Sequence, residues 1–356
     1  MGFIRKYAGR IIAALLAVIL LQSAALLSVL AALDGQKMPQ QETVGQTEEE
    51  MPAWLVAEQE EEAEEEPESV TEPEPEPEPV GLSAKDIFAD AKVISHGMGK
   101  IEGVTTLNCL ESFRLQYEKG VRVFEVDLRM TSDLQVVLRH DWRAGWQEGI
   151  SETHIPTLAE FCSKPLLGKY TALSFRDLLL LMKEYPDVCI VTDSKFTDAE
   201  TVTVQFEAML RDARELGMDA VFDRIVVQVY SELMFKVVDS VGDFPHYIYT
   251  LYNTGFNQTV EAFGDVADFC SENGIDGITM WSYWWRETFA PIAQEHGLSV
   301  YVHTVNDVTA AMELIESGVS AIYTDEIVPA DFEKTETEET ADETAEETTE
   351  NAAEGE

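Results

Sequence analysis

One strand leaves this chain little choice of fold. In Val121-Arg122-Val123-Phe124-Glu125-Val126-Asp127-Leu128-Arg129, an extended backbone sends alternate side chains to opposite sides. Phe124, Val126 and Leu128 make one apolar face, suited to packing under helices. Val121, Val123, Glu125, Asp127 and Arg129 make the other, which turns from apolar to charged toward the C-terminal end. The run Val188–Lys195 repeats the pattern, with Cys189 and Val191 on the face of Asp193 and Lys195. So does Val136–His140, where Val136 and Leu138 precede His140. A parallel (β/α)8 barrel packs apolar layers low in its strands and carries its site at their C-terminal ends. Three strands that become ionisable at that same end predict such a barrel.

The rest of residues 81–332 agrees. Strands read at Val93–Gly97, Val121–Leu128, Val136–Asp141, Val188–Lys195, Ile225–Ser231, Tyr247–Leu251, Gly277–Trp281, Ser299–Val305 and Ala321–Thr324. Helices read at about Thr106–Lys119, Ser174–Glu184, Ala199–Leu216, Leu233–Val241, Val260–Glu272, Arg286–Glu295 and Val308–Glu316. This is one strand more than an eightfold count, and the second-to-third connection is too short for a helix. The span is roughly 250 residues, a usual size for one such barrel.

The ends differ from the middle. Arg5, Lys6 and Arg10 precede an apolar run, residues 11–33, that contains no charge. Its 23 residues can cross a bilayer at about 1.5 Å rise per residue. The run is longer than the apolar region of a cleaved signal. It therefore predicts a signal anchor, with residues 1–10 cytoplasmic and the barrel outside the membrane. Residues 34–80 read as an acidic linker whose charges self-repel and whose prolines favour extended geometry. Residues 333–356 read as a disordered acidic tail on the same grounds.

The formal charge is −43, but residues 41–80 and 333–356 carry 27 of the acidic residues against one Lys. The barrel keeps 39 acidic and 19 basic residues. A surplus of that sign offers no face for nucleic acid, so no nucleic-acid partner is expected. Cys109, Cys162, Cys189 and Cys270 form no CxxC pair, which argues against zinc and predicts buried free thiols.

At the strand ends, Glu125, Asp127 and Asp193 would converge as three carboxylates. Like charges so close require a cation, and an all-oxygen set favours Mg2+ or Ca2+. His96 and His140 can serve as an acid and base pair near neutral pH. Lys195 adds fixed positive charge. This combination suits a phosphate diester, because cation and Lys take up developing charge while the histidines move protons. Trp281, Tyr283, Trp284 and Trp285 form an aromatic group that either stacks on a head group or packs beneath a loop. Trp142 and Trp146 leave the same choice open, and His154, His246 and His296 read as structural.

The chain also resembles a known family. His96-Gly97, Asn108-Cys109-Leu110-Glu111-Ser112-Phe113, Gly120 through Glu125-Val126-Asp127-Leu128, Thr131-Ser132-Asp133 and His140-Asp141 follow the glycerophosphodiester phosphodiesterase signature in order and spacing. Asp193-Ser194-Lys195, His303-Thr304-Val305-Asn306-Asp307 and Tyr323-Thr324-Asp325 are similar to its later strand ends. The resemblance implies a tight turn between the second and third strands. It also implies His96 and His140 as the catalytic pair, Glu125, Asp127 and Asp193 as metal ligands, and Lys195 as a phosphate contact. The partner it implies is a small phosphodiester or a phospholipid head group. The sequence departs from the family's usual Arg at Gly97, Glu at Leu107, Glu at Asp193 and Trp at His303. Asp193-x-Lys195 is also similar to the sphingomyelinase D branch. A phospholipase acting on intact lipid, of that kind or of the phosphatidylinositol-specific phospholipase C kind, therefore stays open. So does a non-catalytic barrel that binds a phosphorylated glycan or head group.

Overall fold

The computed structural model describes residues 82–252 and 254–333. The predicted anchor at 11–33, the linker at 34–80 and the tail beyond 333 lie outside the described residues. Among the described residues, no helix is long and apolar enough to cross a membrane.

The nine predicted strands are present: β1 (Val93–Ser95), β2 (Val123–Met130), β3 (Val136–Leu138), β4 (Cys189–Ser194), β5 (Ile225–Val229), β6 (His246–Thr250), β7 (Gly277–Trp281), β8 (Ser299–His303) and β9 (Ala321–Thr324). Their order is β1-β9-β8-β7-β6-β5-β4-β2-β3, and a further β1–β2 pairing closes the ring. Eight strands run parallel around a barrel. The ninth, β3, pairs antiparallel with β2 alone.

That pairing corrects one expectation. β3 does not rise to the rim beside β2; it descends to it. β2 overshoots the barrel, turns at residues 131–135 with Thr131 N–H donating to the Gln135 carbonyl (2.9 Å), and returns as β3. The ladder ends where Arg139 N–H donates to the Asp127 carbonyl (2.8 Å). His140 therefore reaches the rim from above, through the tight turn that the resemblance implied.

Nine α-helices occur among the described residues: α1 (Ala84–Ala89), α2 (Leu110–Glu118), α3 (Leu158–Ser163), α4 (Phe175–Glu184), α5 (Ala199–Glu215), α6 (Glu232–Val241), α7 (Val260–Glu272), α8 (Ala290–Glu295) and α9 (Val308–Glu316). Two short ones, α1 and α3, escaped the periodicity because six residues barely exceed one apolar repeat. The helix predicted from Thr106 begins at Leu110. Thr106 (φ 57°) and Asn108 (φ 51°) take left-handed backbone, which is incompatible with a right-handed helix.

α1 closes the barrel floor. A capping box at Ser83 and Asp86 starts it, satisfying orphan N–H groups reciprocally. Ala84 and Ile87 then pack against Ile94, Val123, Val191, Val226, Ile248 and Tyr301, all buried. These are the inward-facing residues low in the strands, as the alternation required. A second apolar cluster, with Trp142, Ile150, Phe161, Leu166 and Tyr170 packed on Leu107 and Val137, forms a lobe between β3 and α4. Cys109, Cys189 and Cys270 are buried free thiols, whereas Cys162 is exposed.

Candidate active site

Strand register assembles the acidic cluster. β2 and β4 pair with Asp127 opposite Asp193 and Glu125 opposite Val191, one level lower. The alternation that put Val123 and Val191 into the floor cluster turns all three carboxylates into the mouth. One ligand atom from each of Glu125, Asp127 and Asp193 lies within 4.8 Å of the others. All three residues are buried.

Neutral donors orient them. Gly97 N–H donates to Glu125 Oε2 (2.6 Å). Asn108 Nδ2 donates to Asp127 Oδ2 (2.6 Å), while Asn108 Oδ1 accepts from Asp127 N–H (3.0 Å). The Tyr230 hydroxyl donates to Asp193 Oδ1. Gly97 (φ 53°) would place an added Cβ 2.5 Å from Thr106 Cα. A side chain at the family's usual Arg position is therefore incompatible with this backbone.

The electrostatics follow from burial. Desolvation, reinforced by the charge of Asp127, pushes the Glu125 carboxyl up to about 8. Desolvation also raises Asp193, against the pull of Lys195. Burial opposes charge on Lys195, but Asp193, Asp127 and Glu125 outweigh it and hold its ammonium charged. Lys195 Nζ lies 2.5 Å from Asp127 Oδ1 and 2.5 Å from Asp193 Oδ2. Glu125 Oε1 is buried without a hydrogen-bond partner. Three acidic residues around an unsatisfied oxygen fit a hard divalent cation, and the donor set contains no sulfur or nitrogen.

His96 follows β1 at the rim. Its Nδ1 is 2.8 Å from Asp325 Oδ1, and Asn306 Nδ2 donates to Asp325 Oδ2 (2.7 Å). Burial alone would lower its pKa, but the Asp325 bond and the charges of Glu125 and Asp127 raise it to about 9 in the metal-free site. His140 Nδ1 is 3.0 Å from Asp141 Oδ2. Each histidine thus has a carboxylate on Nδ1, which leaves Nε2 for another partner. Among the described residues, no hydrogen bond or ion pair joins His140 to His96 or to the acidic cluster. Its tie to the cluster is the backbone bond from Arg139 to Asp127.

The aromatic group divides. Trp285 is buried and donates from Nε1 to Ser317 Oγ (2.8 Å), so it packs beneath the loop. Trp281 belongs to the site wall: its ring is 4.4 Å from His303 and 5.2 Å from Tyr252. Tyr283 stacks on Trp281 and is 68% exposed. Burial, followed by the charges of His96 and Lys195, lowers His303 to about 3, so it stands in this wall as a neutral ring. Trp142 is buried in the lobe and Trp146 lies over Arg139 at 4.8 Å. His154, His246 and His296 pair with Glu160, Asp276 and Asp268 away from the acidic cluster.

Sequence reasoning did not single out Asn108, Tyr230, Asp325 or Asn306 for these roles. Asn108, Asp325 and Asn306 sit within the motif blocks, so their positions carried a signal. Tyr230, just past β5, carried none.

Residues 103–171 match the model of the glycerophosphoryl diester phosphodiesterase family. Among curated proteins, none matches. Among solved structures, a glycerophosphodiester phosphodiesterase from Parabacteroides distasonis is 19% identical, with TM-score 0.54 over 70% of this chain and 98% of that one. A glycerophosphodiester phosphodiesterase from Agrobacterium tumefaciens is 17% identical, with TM-score 0.50 over 66% and 96%. A phosphodiesterase from Oleispira antarctica, in complex with the product sn-glycerol-3-phosphate, is 14% identical, with TM-score 0.54 over 67% and 95%. At these identities the structural likeness bears on the fold.

Proposed function

Because this chain carries a domain of the glycerophosphoryl diester phosphodiesterase family, matched over residues 103–171, and is thereby a phosphoric diester hydrolase, we propose that it cleaves a glycerophosphodiester-like substrate with a His96/His140 proton-transfer pair. The observation that carries this reading is the inward cluster of Glu125, Asp127 and Asp193, flanked at the same rim by His96. In this reading the three carboxylates hold Mg2+ or Ca2+, which supplies Lewis-acid stabilisation of charge on the phosphoryl oxygens when bound. Lys195 contacts the phosphate. Asp325 and Asp141 hold the two rings by Nδ1, so each presents Nε2 to the substrate. The neutral histidine takes the proton of the attacking hydroxyl, and the charged one returns a proton to the leaving alkoxide. The product named for the Oleispira antarctica protein supports a glycerol-containing diester here.

In the same reading residues 11–33 anchor the chain, which their uncharged composition supports, and the barrel lies outside the membrane, which Arg5, Lys6 and Arg10 on the N-terminal flank support. Protease added to intact cells is expected to remove the barrel.

The deciding experiment is turnover of the full chain against water-soluble diesters and lipid vesicles, in EDTA and with Mg2+, Ca2+ or Zn2+. Loss in EDTA and recovery with Mg2+ or Ca2+ on soluble diesters is expected. Lipid products alone favour a phospholipase. Undiminished turnover in EDTA ends the metal-dependent chemistry.

A further inference from the structure

The three site carboxylates divide the work of their oxygens. One oxygen of each accepts from a neutral donor: Glu125 Oε2 from Gly97 N–H, Asp127 Oδ2 from Asn108, Asp193 Oδ1 from Tyr230. Neutral donors fix orientation without cancelling charge. The second oxygens, Glu125 Oε1, Asp127 Oδ1 and Asp193 Oδ2, remain for whatever balances that charge. Two of the three have a partner already, the Lys195 ammonium, 2.5 Å from each. Glu125 Oε1 has no hydrogen-bond partner, and Asp127 Oδ1 has none beyond its ion pair with the ammonium.

Lys195 follows directly on β4 and shares a strand face with Asp193. Its side chain is only 17% exposed. A hard divalent ion binds carboxylate oxygens at about 2.0–2.6 Å, close to the distance at which the ammonium already sits on two of them. Two cations cannot share those two oxygens in a buried site without strong mutual repulsion. The flexible stem of lysine lets its head group leave while the strand stays fixed.

We propose that Lys195 is a displaceable internal counter-cation: it occupies Asp127 Oδ1 and Asp193 Oδ2 until a divalent ion takes those oxygens and releases the ammonium to the phosphate. This rests on the reading of Glu125, Asp127 and Asp193 as the metal ligands. Metal loading and the phosphate contact then become one event, and the anionic substrate meets a free ammonium only in a loaded site. Without the ion, Lys195 bridges Asp127 and Asp193 and offsets the repulsion between them.

Two measurements test it, neither of which uses turnover. Calorimetric titration of the full chain with Mg2+ or Ca2+ is compared between the parent and Lys195→Met. Removal of a competing cation is expected to tighten binding by about tenfold or more. Because Lys195→Met can fail to fold with its carboxylates unbalanced, the second measurement uses the parent alone. Trace acetylation, quantified by mass spectrometry against exposed Lys236, reads the availability of the Lys195 amine. Labelling of Lys195 is expected to rise severalfold on addition of either ion. Unchanged or weaker affinity in a folded Lys195→Met protein overturns the proposal, as does labelling that stays flat while metal binds. So does absence of binding to both proteins. Binding to Lys195→Met alone supports it. Turnover that persists in EDTA counts against the metal-dependent chemistry and leaves the competition standing.

Discussion

Asn108 grips Asp127 twice, donating from Nδ2 to its carboxylate (2.6 Å) and accepting at Oδ1 from its backbone N–H (3.0 Å). Both residues are fully buried. The left-handed backbone of Asn108 (φ 51°) aims the amide, which is why α2 starts two residues later. Groups that orient a ligand are typically worth 10–100-fold in metal affinity. Asn108→Ala is expected to weaken Mg2+ or Ca2+ binding by about that factor and to lower stability by about 1–3 kcal/mol, the cost of stranding a buried polar partner. Titration calorimetry and urea unfolding measure the two effects. Parent-like metal affinity would show that Asp127 is held by the barrel alone.

His96→Ala and His140→Ala are each expected to reduce turnover by about 10²–10⁴-fold. The double variant should lose much less than the product, since groups acting as a unit are non-additive. A nitrophenyl diester, whose leaving group needs no proton, should rescue only the variant lacking the acid. Near-parent rates from both single variants, with native circular dichroism, would remove the pair from the mechanism.

In the proposed mechanism Asp325 acts through His96, whose Nδ1 it holds. Asp325→Asn replaces an obligate acceptor at His96 Nδ1 with an amide that can turn its NH2 to the ring and favour the wrong tautomer. Here kcat is expected to fall by between about tenfold and 10⁴-fold with little change in KM or in metal affinity. A change confined to KM would assign Asp325 to substrate binding instead.

Above neutrality, the metal-free protein should lose stability as pH rises. Glu125 is raised to about 8 and His96 to about 9, both above their unfolded values, so the folded state holds extra protons between those limits. Stability then falls as pH rises. These contributions are present below the unfolded values of 4.5 for Glu125 and 6.5 for His96 and are lost as pH passes through 8 and 9. Urea midpoints in EDTA should decline from pH 6.5 to 9, less steeply in Glu125→Gln. A divalent ion, which takes the place of those protons, should reverse the trend. A flat profile in EDTA would contradict the electrostatics drawn for the cluster.

The fold was legible because alternation and burial coincide. Glu125, Asp127 and Asp193 stand above Val123, Val191 and Cys189 on the same strand faces, so one pattern marked both core and site. The direction of β3 was less legible, since Val136–Leu138 alternates identically whether it rises or descends. Only the tight turn carried that information. Gly97 shows the same limit: it read as a missing Arg, whereas its backbone closes against Thr106 and its N–H holds Glu125. Hydrogen bonds across the barrel, such as Tyr230 to Asp193, join residues 37 apart and leave no trace in local periodicity.

The helix that closes the floor sets where this protein can be trimmed. Cleavage anywhere before Leu82 leaves Ser83 to cap α1 and the barrel stoppered. A cut a few residues later, past Ala89, removes Ala84 and Ile87 and opens the cylinder from below, wetting Val226, Ile248 and Tyr301. A fragment that keeps its floor therefore has to begin no later than Ser83, ten residues ahead of Val93, and a protease that nicks this short stretch is expected to disable the barrel from the side opposite its mouth.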